Sequence, residues 1–516
     1  MSLSRKILIA AGIVFVLAIL ISVVHHYQLR FAVANYVAEL KAKGEPMELA
    51  QVIPPSVSPE KNSALLFWKA VALFTTNDDV LTTNWPTAMH GITPGKAIVS
   101  WAQSEIRDED STNSWTQLQE ALARNREAFK LLNQITNNAA FDFNLQYTQR
   151  FEMTITNLIF EKKSAQKLSA DAIYDLHVGD AISAAKNVRT ILALVNGTGD
   201  ERTVISQLVR IAIAQIAAAD TWELLQSTNL TDESLAELQK SWLQLEFIQA
   251  LERALPLERE GALTMVAKWR NSNSELQHYF DLKKRVKTFF GNDDEEDSLW
   301  KNAKLKTVIF LWRYWWSYPD ELRYLKGYDV LANAAKSAET NGFYQTALQY
   351  QNSELERLGI SKLDDEFATL FSGETDFHSM LSESIVTLGN VTRKVMQVEV
   401  ARQTAIAAIA LKRHQLKHGN YPKDLDSLVP EFLSAVPLDP VDGKPLRYKL
   451  NADGTFLLYS IGENGMDDGG NPAPEKNVES SNFFWQYPNA LDWVWPQPAT
   501  EEEVQAYYKK ISSQSN

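Results

Sequence analysis

Residues 163–197, KSAQKLSADAIYDLHVGDAISAAKNVRTILALVNG, decide the fold class. Apolar residues recur at i, i+3, i+4 and i+7 on both sides of one short break, His177-Val178-Gly179-Asp180. That spacing predicts two Ala-rich helices joined by a tight turn, with Gly179 ending the first. The same period runs through 114–135, 201–226 and 232–246, so helical patterns dominate from about 114 to 340. Before the third of these stretches, Thr231 or Asp232 supplies an N-cap, with acidic residues in the first turn.

The pair 163–197 is similar in length to a tetratricopeptide hairpin. The aromatic and glycine signature positions of that repeat are missing, and no fixed period emerges, so the expectation is a helical-hairpin array. Such arrays bind other proteins or space domains. Two further stretches stand out. GNDDEEDS, residues 291–298, reads as a solvated acidic linker. In LWRYWWSY, residues 311–318, rings crowd successive turns. Core packing is the default for them, and a membrane-interface contact is one alternative. The other is a stacking groove for sugars built on Trp312, Trp315 and Trp316.

The 516 residues suffice for two or three domains, and 45% apolar content permits sizeable cores. A formal charge of -13 argues against a nucleic-acid surface. The lack of cysteine excludes disulfides, thiolate catalysis and Cys-ligated zinc, and it fits a cell envelope. Arg5 and Lys6 precede Ile7–Val24, which carries no charge. Such a run rises about 27 Å as a helix, close to the hydrocarbon thickness of a bilayer. The two cations favour an N-terminus inside, with the rest translocated. A cleaved signal peptide is the rival, with Ala32-Val33-Ala34 as its cut, but that motif lies far past the apolar run. The expected location is therefore a bacterial inner membrane, spanned once, with the soluble part facing the periplasm. No later segment is expected to span.

From about 385 the composition changes. One long helical pattern runs to Gly419, and short turns and strands follow. Tyr421-Pro422 leaves the helix in extended form. Leu425, Leu428, Phe432 and Leu433 are expected to pack back on it. DPVDGKP is a turn, and LRYKL and TFLLYS are two strands joined by NADG. Together, Gly419, Tyr421, Pro422, Leu425, Leu428, Pro437, Asp439, Pro440, Gly443, Pro445, Tyr448, Tyr459, Ser460, Gly462, Asn464 and Gly465 carry a resemblance. Their order and spacing resemble the globular domain of the type II secretion major pseudopilin, protein G, over about 385–497. ALDWVWP, residues 490–496, would be its last strand. The larger helical part resembles uncharacterised membrane-anchored bacterial proteins. The chain departs from the pseudopilin family at its start. MSLSRKILIAAGIVF offers no leader cut before Phe and no Glu at a fifth mature position. Polymerisation as a pilus subunit is therefore not expected. The resemblance also implies a structural calcium ion in YSIGENGMDDGG, residues 459–470. By position its ligands would include Asn464, Asp467 and Asp468, and a metal-free Gly/Asp turn is the alternative.

Catalytic motifs mostly fail. HQLKH, residues 414–418, has the histidine spacing of a zincin helix, but Gln415 stands where the general-base Glu is needed. GITPGK is too short for a phosphate loop, no GxSxG occurs, and a DP-x-DG turn explains Asp439 and Asp442. The expected organisation is 1–6 cytoplasmic, 7–24 anchor, 25–60 stalk and linker, 61–384 helical, 385–497 pseudopilin-like, and 498–516 tail. The fold class is mainly α, with a small C-terminal α+β domain of one long helix and an antiparallel hairpin. The expected function is non-catalytic: protein interaction in the envelope. Sugar or ligand binding by the 312–318 aromatics is one alternative. The other is an enzyme without a recognisable motif, which requires a pocket with two converging carboxylates.

Overall fold

Helical periodicity becomes helix along most of the chain. A computed structural model describes residues 3–75, 81, 86–107, 112–135, 140–279, 307, 309–360, 380–474 and 490–514. The protein is mainly helical, at 65% helix, with small sheets. The acidic stretch 291–298 lies outside the described residues.

In chain order come α1 (Leu3–Ala42), α2 (Leu49–Val52) and α3 (Ala64–Leu73). Four short strands follow: β1 (His90–Thr93), β2 (Lys96–Ile98), β3 (Ile106–Arg107) and β4 (Thr112–Asn113). Next are α4 (Trp115–Arg124), α5 (Arg126–Leu132), α6 (Asn157–His177), α7 (Ala181–Gly197), α8 (Val204–Leu225), α9 (Asp232–Leu243) and α10 (Ile248–Asn271). A π-helical turn, Trp312–Trp316, enters α11 (Ser317–Asn341), followed by α12 (Gln345–Arg357) and α13 (Glu383–His418). The chain closes with β5 (Arg447–Leu450), β6 (Phe456–Ile461), β7 (Asp492–Val494), β8 (Gln497–Pro498) and α14 (Glu501–Gln514).

The chain divides into two compact units. The first comprises Met1–Ile53, Ala254–Ala334 and Gln349–Thr392. Here the second half of α1, expected as a stalk, is packed: Val33 and Leu40 are buried, and the Tyr36 hydroxyl donates to Asp329 at 2.5 Å. Arg259 is buried, pairs with Glu45 at 3.1 Å and lies over the Tyr328 ring. The Asp320 carboxylate accepts from the Leu381 and Ser382 amides and the Ser382 hydroxyl, tying residues 381–382 to α11.

The second unit comprises Pro54–Arg253, Ala335–Leu348 and Arg393–Asn516. The 163–197 stretch is the α6–α7 hairpin, turning at Gly179 with φ of +85°. Asp180 caps α7 by accepting from the Ser183 amide, Thr203 caps α8 and Thr231 caps α9. Leu168, Ile173, Ile191, Leu194, Trp222 and Trp242 are buried in the core these helices enclose. One expectation is corrected here. By length and composition α8 is apolar enough to cross a membrane, although no later span was expected. It is mostly buried, as a core helix of a folded body is, and Arg210, Asp220 and Glu223 are among its buried residues.

The C-terminal elements form as their turns predict. Leu425, Leu428, Phe432 and Leu433 are buried, and the Phe432 ring sits 5.7 Å from His414 of α13. β5 pairs antiparallel with β6, and β7, from the ALDWVWP stretch, adds antiparallel to β6 through Tyr459↔Val494 and Ile461↔Asp492. This segment is fastened to the helices of its unit. The Trp222 indole donates to the Pro496 carbonyl, Gln239 donates to the Phe432 carbonyl, and Arg413 pairs with Asp232. Residues 498–516, expected as a tail, carry α14. β8 pairs in parallel with β2, and Val504 is buried against Ile92 and Ile98.

Candidate functional site

The α6–α7 hairpin carries a cluster of polar side chains in the second unit that opens on a cavity. Asp171 and Asp175 are four residues apart and so share one face of α6. Across from them, Asn187 of α7 donates one amide hydrogen to Asp171 at 2.9 Å and the other to Asp175 at 3.0 Å. The Asn187 carbonyl accepts from Asn133 at 2.9 Å, and the Asn133 carbonyl accepts from Thr190. Both donors and one acceptor site of the Asn187 amide are thereby engaged, and its side chain is buried.

These groups line a cavity of about 480 Å3 shared by α4, α5, α6 and α7. Arg126, Lys130 and Lys186 stand exposed at its rim. A second cavity of about 650 Å3 adjoins it along α7, sharing Asn133, Ser183 and Lys186. That part is lined by Lys240 and by Arg189, which pairs with Glu237 at 2.5 Å. The result is a polar groove running beside α7, with charges of both signs.

Burial pushes the Asp175 carboxyl up to about 8, helped by the charges of Asp171 and Asp180 and opposed by Arg126. Burial also pushes Asp171 up to about 6, opposed by the Asn187 hydrogen bond and by Arg126. Both carboxyls are thus held above the usual carboxylate range, and they titrate as a pair. Such a pair can accept hydrogen bonds from ammonium or hydroxyl donors, and it can give or take a proton.

The loop 459–470 is organised differently from the metal site the resemblance implies. Asn464 donates to the Asp468 carboxylate at 2.9 Å and accepts from the Met466 amide, closing its own turn. Asp467 accepts from the Tyr459 hydroxyl and the Gly469 amide, and it lies 3.5 Å from the Arg447 guanidinium. Arg447 also donates to Asp439 at 2.8 Å and to Asp442 at 2.6 Å, so a guanidinium holds the centre of three carboxylates. The amides of Asp468, Gly470 and Asn471 instead surround the carboxylate of Asp492, on β7. In this arrangement the Arg447 guanidinium faces Asp467, while Asn464 and Asp468 are hydrogen-bonded to each other. Among the described residues no group of three acidic or histidine side chains converges to hold a metal.

The aromatic cluster separates. Trp312 is fully buried, 6.0 Å from Trp269, while Trp315 is exposed and Trp316 half-buried. The three indoles do not line one groove. His414 and His418 pack together against Phe432, and the His414 Nδ1 meets the Asn420 carbonyl.

Sequence reasoning asked for two converging carboxylates without locating them. The signal was present in the first stretch quoted: Asp171 and Asp175 punctuate the core-facing side of α6, and Asn187 occupies a core position of α7. The chain matches no protein-family model, no curated protein and no solved structure.

Proposed function

We propose that the chain is a single-pass protein of the bacterial inner membrane with its soluble part in the periplasm. Its helical-hairpin body and pseudopilin-like module serve as a non-catalytic scaffold for envelope protein partners. One observation carries the reading: the N-terminal half of α1 has large aliphatic side chains exposed in every direction. Ile9, Ile13, Val14, Val16, Leu17, Leu20, Ile21, Val23 and Val24 are between 46% and 66% exposed. Burying one such side chain is worth about 1.5–3 kcal/mol. Leaving nine in water forfeits a sum on the order of 10 kcal/mol, which a hydrocarbon layer recovers. Arg5 and Lys6 favour the orientation. The mixed-charge groove beside α7 supports the interaction role, since its length and polarity suit an extended polypeptide segment.

Alkaline extraction of membranes tests the anchor. The full chain is expected to stay with the bilayer, and a variant lacking residues 2–24 to be released. Photo-crosslinking from position 186 tests the groove. A discrete adduct from there, absent when the crosslinker sits at exposed Lys162, is expected. Retention in the membrane with no adduct would remove the groove from the reading.

The Asp171–Asp175 pair favours a second reading, an acid–base enzyme acting on an envelope polymer. Loss of polymer turnover in Asp171→Asn, with folding intact, would select it over the scaffold.

A further inference from the structure

The aromatic cluster has a neighbour that the sequence separates from it by nearly three hundred positions. The His26 Nδ1 donates to the Tyr314 carbonyl at 2.9 Å. The His26 ring lies 5.1 Å from Tyr318 and 6.0 Å from Tyr314, and His25 lies 6.5 Å from Trp315. The π-helical turn is therefore fastened to α1 at the two residues that directly follow the apolar run 7–24. Both partners belong to the first unit.

Around this junction five rings face outward. Tyr27 is 51% exposed, Phe31 65%, Phe310 57%, Tyr314 49% and Trp315 43%. The wide turn helps to produce this split. A π-turn holds an extra residue and re-aims the side chains after it. Here Trp312 enters the core while Tyr314 and Trp315 stay outside. Exposed aromatic surface on this scale marks a contact.

What covers it follows from its level on α1. Tyr27 lies about 4.5 Å and Phe31 about 10 Å beyond Val24 along a helix rising 1.5 Å per residue. The polar layer on each face of a bilayer is about 5–8 Å deep outside the hydrocarbon core. Tyrosine and tryptophan prefer that layer, where a ring is half in apolar and half in wet surroundings. We propose that Phe310, Tyr314 and Trp315, with Tyr27, form a lipid-binding surface whose outer edge Phe31 marks. It seats the first unit in the headgroup layer on the distal side of the anchor. The proposal rests on the anchor reading above and adds to it a second, sequence-distant contact with the same membrane.

The chain has no cysteine, so single-cysteine variants label one position each. Leu17→Cys and Trp315→Cys are both at exposed sites. Each would be spin-labelled in the full chain and reconstituted into phosphatidylethanolamine–phosphatidylglycerol nanodiscs. Collision rates with oxygen and with a water-soluble nickel chelate would then be compared. The expected result is oxygen-dominated relaxation at 17 and an intermediate, headgroup-level ratio at 315. A water-like ratio at 315 with position 17 in the hydrocarbon overturns the proposal and leaves the anchor standing. A water-like ratio at both positions overturns the anchor and the proposal together.

Discussion

Replacing Arg447 by glutamine is expected to destabilise the second unit, and by an amount that depends on pH. Arg447 donates to Asp439 at 2.8 Å and to Asp442 at 2.6 Å, and of the two carboxylates Asp439 is buried and Asp442 half-buried. Breaking a buried pair by removing one partner costs about 3–5 kcal/mol, because the other charge is left uncompensated. Asp439 would keep three donors: the Ser460 hydroxyl and the amides of Val441 and Ile461. They hold the expected loss nearer ~3 kcal/mol at pH 8. With a urea m-value of a few kcal/mol/M, that is a midpoint lowered by roughly 1 M. Burial pushes Asp439 up to about 6 even beside Arg447. Without the cation it moves higher still. A carboxyl whose folded pKa exceeds its unfolded value weighs against folding above the folded pKa, and the penalty vanishes below the unfolded one. Asp442 acts in the same sense. Burial raises it, but the Arg447 hydrogen bond leads the opposing effects and holds it below the usual range. That contribution is present above the unfolded pKa and is lost in acid. The deficit of Arg447→Gln should therefore shrink as pH falls from 8 to 4, in urea unfolding followed at each pH. Adding Asp439→Asn should restore part of the loss at pH 8. A deficit that is flat with pH, or a double variant no more stable than the single, would refute this account.

Three other outcomes are expected. Asp175→Asn should stabilise the second unit at pH 8–9, by an amount on the order of 2 kcal/mol once solvent screening is allowed for. The penalty it removes begins above the unfolded carboxyl pKa and is full above about 8, so the gain should vanish below about pH 4 in thermal melts. Gly462→Ala should cost at least about 2–3 kcal/mol, because an added Cβ would meet the Leu491 and Ala490 carbonyl oxygens at 2.3 and 2.5 Å. Faster amide exchange in β6 and β7 would report it, with α6–α8 unaffected. Calcium should leave the melting temperature of the wild type unchanged. A rise at millimolar calcium, abolished by Asp467→Asn, would restore the metal to loop 459–470.

The helical body was legible because its information is local. Period, caps and glycine stops place α7, the end of α6 and the start of α9 within a residue or two, although α6 begins six residues before the stretch read as helix, and Thr231 caps where its neighbours predict. The C-terminal hairpin was legible for the same reason, since NADG and DPVDGKP encode their own turns. What was not legible is long-range. The burial of α8 follows from partners far along the chain, as where the Trp222 indole meets the Pro496 carbonyl. α14 reads as a tail because only Val504 and the tyrosines after it mark its inward face, and their partners, Ile92 and Ile98, lie four hundred residues earlier.

Charge compensation is the sharper case. A row of aspartates in a glycine-rich loop invites a metal, because sequence shows the anions and hides the cation. Here the cation is Arg447, a strand residue twenty positions before Asp467, and pairing across β5 and β6 brings it over the loop. The amides of 468–471 then turn to Asp492, which enters from the far side of the sheet. The loop thus ties β7 to the hairpin through the Asp492 carboxylate. A guanidinium and backbone donors make these contacts. The Asp171–Asp175 pair is the converse. No cation lies between those carboxylates; an amide does, and burial leaves them short of charge. A site of that kind titrates above the usual carboxylate range and has free acceptor capacity toward the groove. A ligand or polypeptide arriving in the groove would meet that acceptor capacity directly.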